Sequence, residues 1–322
     1  MSGRVVYFNG QFVPESEARV SIFDSALMFG DMAFEMTRTY NRQPFRLKDH
    51  LQRLYASLRL LEIDPGMHLA RMQAITLETL QRNVASEPDD VDWQIMHDIS
   101  RGPLAPYRSL FAGQLGPTIS INCWPLITHM GHFAPTYASG VDLVIAAQQA
   151  LPAHLVDPKA KTRSRVHYQM AQLQGARMGQ KWPILADPDG DLAEGPGWNI
   201  FLVKDGLLYT PQGRNVLLGV SRAVTIELAR RLGLTCHEAN LGRYEALQAD
   251  ELFCTATTFS LVHATSFEGQ QVGDGKPGPI FRRLLEAWKA KVQVDFVAQA
   301  RTYAQRVQKW EQQQGESLVS AG

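Results

Sequence analysis

From Val141 onward the chain breaks repeatedly into short apolar runs closed by tight-turn residues, and this punctuation limits the fold more than any other feature. VDLVIA (141–146) reads as a strand of the buried type. Residues 184–187 read as another, ended by the turn Asp187-Pro188-Asp189-Gly190, and 199–204 (NIFLVK) runs into the hairpin pair Asp205-Gly206. Residues 251–255 (ELFCT) form a further strand that enters Ala256-Thr257-Thr258. Helical spacing separates these runs. One helix is predicted to start near Thr162 or Ser164, with Val166, Met170 and Leu173 on one face. Another is bounded by Ser221 as N-cap and Gly233 as stop. A long helical pattern runs from Ile280 to about Trp310.

The first half is read the same way. VVYF and QFV flank Asn9-Gly10, which predicts a tight hairpin. Residues 19–40 read as two strand-like runs around Phe29-Gly30-Asp31, with alternation over 33–37 that predicts a half-exposed strand. Leu47, Leu51, Leu54, Leu58 and Leu61 define an amphipathic helix, and Arg53 lies roughly 120° off that stripe at about 100° per residue. A second helix is predicted over 68–86, with strands at 93–101 and 118–124. Residues 125–139 carry turn formers and no clear period, which suggests a connection between domains. The expected layout is a mixed α+β or α/β chain: a small α/β domain (1–124), an interdomain loop (125–139), a larger β-rich domain (140–290) and a helical extension (291–322).

At 322 residues the chain exceeds one ordinary core. Lys+Arg and Asp+Glu are both 32, so no global basic field draws nucleic acid or anionic membrane. Cys123, Cys236 and Cys254 are scattered and odd in number, which argues against a disulfide framework or a zinc site and fits a reducing cytoplasm. The first residues do not read as a signal peptide, and no apolar run approaches the ~20 residues of a membrane span. GDGKPG (273–278) matches GxGxxG but is interrupted by prolines and lacks a following βαβ unit.

Several side chains have both an ordinary and a chemical reading. Lys161, between a proline-bearing loop and a helix start, is either solvated or an amine whose pKa is lowered for nucleophilic work. Glu194 lies between Ala193 and Gly195-Pro196-Gly197, where glycine permits close approach by another group. Arg53 is a solvated helix arginine or a long cationic reach. Ser221 at a helix start, and Thr257 with Thr258 in a turn, are plain caps or anion sites.

In order and spacing, FDSALMFGDMAFE (23–35), FRLKDHLQRL (45–54), DPKAK (157–161), DLAEGPGWNIFLVKDGLLYTP (191–211), LLGVSR (217–222) and ADELFCTATT (249–258) together resemble the class IV aminotransferases, pyridoxal-phosphate (PLP) enzymes of fold type IV. The resemblance covers roughly residues 4–285. It implies a two-domain fold type IV and PLP as cofactor. Lys161 becomes the lysine that carries PLP, in preference to Lys159, and Glu194 the partner of the pyridine nitrogen. Arg53, Val220, Ser221, Thr257 and Thr258 become the phosphate cup, and Phe29, Phe34 and Arg38 the substrate pocket. It further implies a homodimer, an amino-acid donor and a 2-keto-acid acceptor, with branched-chain-like substrates first. The alternatives it leaves are an (R)-selective amine transaminase, an aminodeoxychorismate-lyase-like enzyme, and a PLP-binding regulatory protein. No metal is implied. The chain departs from branched-chain members at Val166, where a tyrosine often stands five positions after the lysine; Tyr168 comes two later. Thr162-Arg163-Ser164-Arg165 is unusually basic, and Arg38, Arg101 and Arg108 are the arginines that offer to hold a substrate carboxylate.

Overall fold

The computed structural model describes the backbone of residues 3–111 and 115–320, and side chains as far as residue 313. In chain order its first half supplies β1 (Val5–Phe8), β2 (Gln11–Pro14), α1 (Ser25–Phe29), β3 (Met32–Tyr40), β4 (Gln43–Pro44), α2 (Leu47–Leu60), α3 (Leu69–Val84), β5 (Trp93–Ser100) and β6 (Thr118–Pro125). The strands form an antiparallel six-stranded sheet in the order β2-β1-β6-β5-β3-β4. Asn9 (φ 45°) and Gly10 (φ 96°) both sit in the left-handed region that a two-residue hairpin requires. Leu51, Leu54 and Leu58 of α2 pack on Ile95, Ile99 and Ile121 of the sheet, each fully buried leucine contributing roughly 2 kcal/mol.

The second half supplies α4 (Ile127–Ser139), β7 (Val141–Gln149), α5 (Val166–Arg177), β8 (Trp182–Ala186), β9 (Asn199–Lys204), β10 (Leu207–Pro211), α6 (Val220–Arg231), β11 (Cys236–Ala239), α7 (Arg243–Leu247), β12 (Glu251–Ala256), β13 (Ser260–Phe267), β14 (Gln270–Gln271), α8 (Pro279–Val292) and α9 (Phe296–Ser320). Its mixed eight-stranded sheet is ordered β11-β10-β9-β12-β13-β7-β8, with β14 on β13. Central β9 is covered on both faces. Ile200 and Leu202 join one core, while Phe201 and Val203 join another with Val224 of α6 and Trp288 of α8. Two-sided burial explains why NIFLVK is an almost unbroken apolar run.

Six expectations are corrected. Residues 25–29 are helical, not strand-like: the Asp24 side chain accepts from the Ala26 N–H, and Gly30 (φ 68°) ends the turn. The strand expected to be half exposed, β3, is buried on nearly every residue, because the loop around Lys161 and the residues near Thr258 cover its outer side. Residues 127–139 form a helix that accommodates Pro135. There a Cβ at Gly131 would come within 3.1 Å of the Tyr303 backbone, so the small residue lets α9 cross closely. The C-terminal helical pattern breaks at Gln293 (φ 56°), and α9 docks on α4 through Met130, Ala134, Ala300 and Tyr303. Gly219, not Ser221, is the N-cap of α6. Helix α5 begins at Val166, and its expected apolar face is the exposed one, Val166 being 76% accessible. Spacing reveals an apolar stripe but not what covers it.

The GDGKPG loop leads into α8, where the Glu251 carboxylate accepts from the Ile280 and Phe281 N–H groups at 2.9 and 2.7 Å. That helix start already carries an anion of the protein's own.

Candidate active site

Two adjoining hollows between the sheets share Lys161, Arg165, Glu194 and Leu217, with empty volumes of about 400 and 470 Å3. The Lys161 loop is stitched to β3 as a further extended segment. The Phe34 N–H donates to the Lys161 carbonyl (3.0 Å) and the Arg163 N–H to the Met32 carbonyl (3.0 Å). The Lys161 N–H donates to Ser57 Oγ on α2 at 3.0 Å. These bonds aim the side chain inward. Its Nζ lies 4.5 Å from the centroid of the buried Phe34 ring and has no hydrogen-bond acceptor among the described residues. Burial, then the Arg53 and Arg165 guanidinium groups, pull the ammonium down to about 7, against the opposing pull of Glu35 and Glu194. A large share of this amine is therefore unprotonated at neutral pH. Lys159, the competing lysine, is exposed and paired with Asp157.

Glu194 follows the β8 turn, and its residue is buried. Tyr168 Oη donates to Oε1 at 2.7 Å; Asn199 Nδ2 and the Leu217 N–H both donate to Oε2 at 3.1 Å. All three donors are neutral. Burial therefore wins and raises the carboxyl above its usual range, although those donors, Arg165 and Lys161 oppose it. Gly195 makes this packing possible, since a Cβ there would fall 1.9 Å from the Trp198 ring. Gly219 does the same for Asn199, whose Oδ1 would be 2.2 Å from a Cβ.

The Arg53 side chain points off the leucine stripe and is only 12% exposed. Its Nε and Nη2 donate to the two oxygens of Glu35 at 2.8 and 2.7 Å, and Nη1 donates to the Leu218 carbonyl at 2.9 Å. Two of its five N–H donors stay uncommitted, and it lines the smaller hollow. Glu35 is fully buried and also meets His50 Nδ1 at 3.0 Å. Burial pushes Glu35 up, but Arg53 and His50 outweigh it and hold the carboxylate well below its usual range. Val220 and Ser221, in the first turn of a helix with no side-chain cap, line the same hollow as Thr257.

Of the site residues expected from sequence, Lys161, Arg53, Glu194, Val220, Ser221 and Thr257 come together, and Phe34 lies under the lysine. Three do not line the hollows. Thr258 turns its hydroxyl toward Gln94, 3.3 Å away. Phe29 is 65% exposed at the end of α1, touching the region only through its carbonyl, which accepts from Ser164 Oγ. Arg38 is 1% exposed; it donates to the Thr258 carbonyl (2.6 Å) and to Gln299 Oε1 (3.1 Å), so it braces the turn after β12 instead of facing a substrate. Arg101 is likewise tied, to Asp31 and to the Leu61 and Glu62 carbonyls. Glu35, Ser57, Asn199 and Trp198 carried no local signal of a role. Arg165 and Tyr168 did, as the odd residues after the lysine.

These groups fit one ligand chemistry. A poised amine, a carboxylate held only by neutral donors, and an arginine beside an uncapped helix start match an aldehyde, a ring nitrogen and a phosphate carried on one molecule. The Amino-transferase class IV family model matches residues 32–267. A putative branched-chain-amino-acid aminotransferase of Methanocaldococcus jannaschii is 32% identical over 88% of this chain and 95% of its own. The crystal structure of the Escherichia coli branched-chain amino acid aminotransferase superposes with a TM-score of 0.79 at 26% identity, covering 89% of this chain and 94% of that one. A T.th. branched-chain amino acid aminotransferase with pyridoxamine 5′-phosphate gives 0.81 at 26% identity, covering 90% and 95%. With the family model spanning most of the chain and a relative 32% identical over nearly all of it, this protein belongs to the class IV aminotransferases.

Proposed function

We propose that the protein is a PLP-dependent transaminase that moves an amino group from an amino acid to a 2-keto acid, with branched-chain-like side chains preferred. The observation that carries the reading is that the Lys161 amine, stacked over Phe34 with no acceptor of its own among the described residues, lines the same hollow as the Glu194 carboxyl. PLP, when bound, supplies an electron sink conjugated to the reacting carbon. The protein's own groups do the rest. Lys161 would be the attachment point for the cofactor and, when free, the base that takes the substrate's α-proton. Glu194, aligned by Tyr168 and Asn199, would face the ring nitrogen and favour its protonated form. Arg53, the α6 start and Thr257 would hold the phosphate. Phe34 supplies an apolar floor that keeps the amine desolvated.

Lys161→Ala is expected to lower turnover by roughly 10^4-fold, with the visible absorbance of lysine-bound PLP lost. A variant that transaminates at the wild-type rate sinks the assignment.

The reading includes a homodimer. Leu27, Met28 and Phe29 of α1 and Val166, Met170 and Leu173 of α5 are exposed apolar residues, and Ser164, just before α5, donates to the Phe29 carbonyl at the end of α1. Replacing Val166 and Leu173 by glutamate is expected to give a monomer in sedimentation velocity. An unchanged oligomer would place the contact elsewhere. Among the described residues no helix is long and apolar enough to cross a membrane.

A further inference from the structure

One cation in the site has no task among the described residues. The other arginines around the hollows are committed: Arg53 to Glu35 and the Leu218 carbonyl, Arg163 to Asp98, Arg38 to Thr258 and Gln299, Arg101 to Asp31. Arg165 has neither an acidic partner nor a hydrogen-bond acceptor among the described residues. Yet it lines both hollows beside Lys161 and Glu194. Its guanidinium carbon stacks 4.4 Å from the centroid of the Tyr168 ring and 5.5 Å from that of Phe34, the ring that also underlies the lysine amine. Stacking fixes the plane of a guanidinium and leaves its N–H edge open, which is how arginine presents itself to a planar anion.

The position is also constrained from behind. Tyr168 is held by its bond to Glu194, so the platform under Arg165 is tied to the floor of the site. An unpaired guanidinium in a partly desolvated hollow is costly unless an anion visits it. PLP brings a phosphate, but Arg53 and the α6 start already line its cup. A 2-keto acid and an amino acid both bring a carboxylate one bond from the reacting carbon. That carbon must come within reach of Lys161, four residues away in sequence and on the same Phe34 ring.

We propose that Arg165 is the receptor for the α-carboxylate of the amino-acid and keto-acid substrates, an assignment that rests on the transaminase reading above. It makes the guanidinium stacked on Tyr168 the element that selects amino acids over simple amines. Bidentate N–H···O contacts would hold the carboxylate in the guanidinium plane and so orient the α-carbon relative to the amine.

The test uses the PLP-loaded protein with Arg165→Met and Arg165→Lys. The first probe is 4-methylvalerate, a branched carboxylate with no amino group, titrated calorimetrically. Its dissociation constant is expected to rise about 30-fold in Arg165→Met and less in Arg165→Lys, which keeps the charge but loses the fork. With leucine, KM is expected to rise about as much while kcat changes little. Reactivity with 3-methylbutylamine, the same donor without its carboxylate, is expected to fall several-fold less than reactivity with leucine, so the leucine-to-amine preference collapses while bound-PLP absorbance is retained. Unchanged 4-methylvalerate affinity in Arg165→Met overturns the proposal, as does an equal loss toward leucine and the amine. A loss confined to glutamate and 2-oxoglutarate overturns it too, since the guanidinium would then serve the far carboxylate of a dicarboxylic substrate. A wild-type protein that takes up no PLP fails the transaminase reading instead, and this assignment with it.

Discussion

Two buried carboxylates flank the site from opposite sheets, Glu194 lining the hollow and Glu35 behind Arg53, and they are treated in opposite ways. Glu35, on β3 of the six-stranded sheet, is matched by a charge of the chain: the Arg53 guanidinium grips both of its oxygens, and the His50 ring, kept neutral by burial, adds a third contact. Glu194, beside the eight-stranded sheet, receives only a phenol, an amide and a backbone N–H. The first carboxylate is held far down and the second is raised. A carboxylate already paired with a cation has little to offer a ligand; one supplied only with neutral donors is completed by a cation that arrives. The comparison separates a scaffold acid from a working acid without reference to position in the sequence.

The largest effect should come from breaking the scaffold side. Glu35→Gln leaves the Arg53 guanidinium partly buried without its anion and is expected to cost roughly 3–5 kcal/mol, read as a drop in urea midpoint at neutral pH. Because the folded-state pKa of Glu35 is depressed, its contribution is present above the ordinary carboxylate range and fades as pH falls through and below it. The gap between wild type and variant should therefore narrow toward pH 3; a gap that widens would contradict the pairing.

The working side should respond inversely. Glu194→Gln is expected to lower kcat by about 100-fold, yet to leave the cofactor-free protein as stable as wild type or more so. The sign follows from the raised pKa: wild-type stability from this group is intact in acid and lost as pH rises, so the variant should gain on wild type as pH climbs above the ordinary carboxylate range. Equal destabilisation by both glutamine substitutions would erase the distinction.

The smallest test concerns the amine between them. With Lys161 lowered to about 7, the rate at which cofactor-free protein captures PLP should climb with pH up to about 7 and then level. A climb continuing toward pH 10 would mean that neither burial nor Arg53 perturbs the amine.

Much of this site was legible in the chain. Turn residues fixed the strands around Glu194, while Arg53, off its leucine stripe, read as a solvated helix arginine until the family motif gave it a role. Lys161 and Glu194 were singled out by family spacing, not by composition. What stayed hidden depended on covering surfaces. Alternation over 33–37 said that β3 has two kinds of face, not that both would be buried, so Glu35 was passed over. Val166, Met170 and Leu173 marked a stripe that the monomer leaves open. Ser221 has the chemistry of an N-cap, but Gly219 takes that place, where a Cβ would strike Asn199. Arg38 looked like a free cation because its partners, the Thr258 carbonyl and Gln299, lie more than 200 positions away.

The stitching of the Lys161 loop to β3 has a mechanical consequence. The amine is bonded into the six-stranded half, while Glu194 and the start of α6 belong to the eight-stranded one. On the proposed reading, a small molecule joined to the first and clasped by the second would act as a rivet through two plates: seating it would stiffen the joint, and each turnover, by unfastening the lysine, would loosen it again.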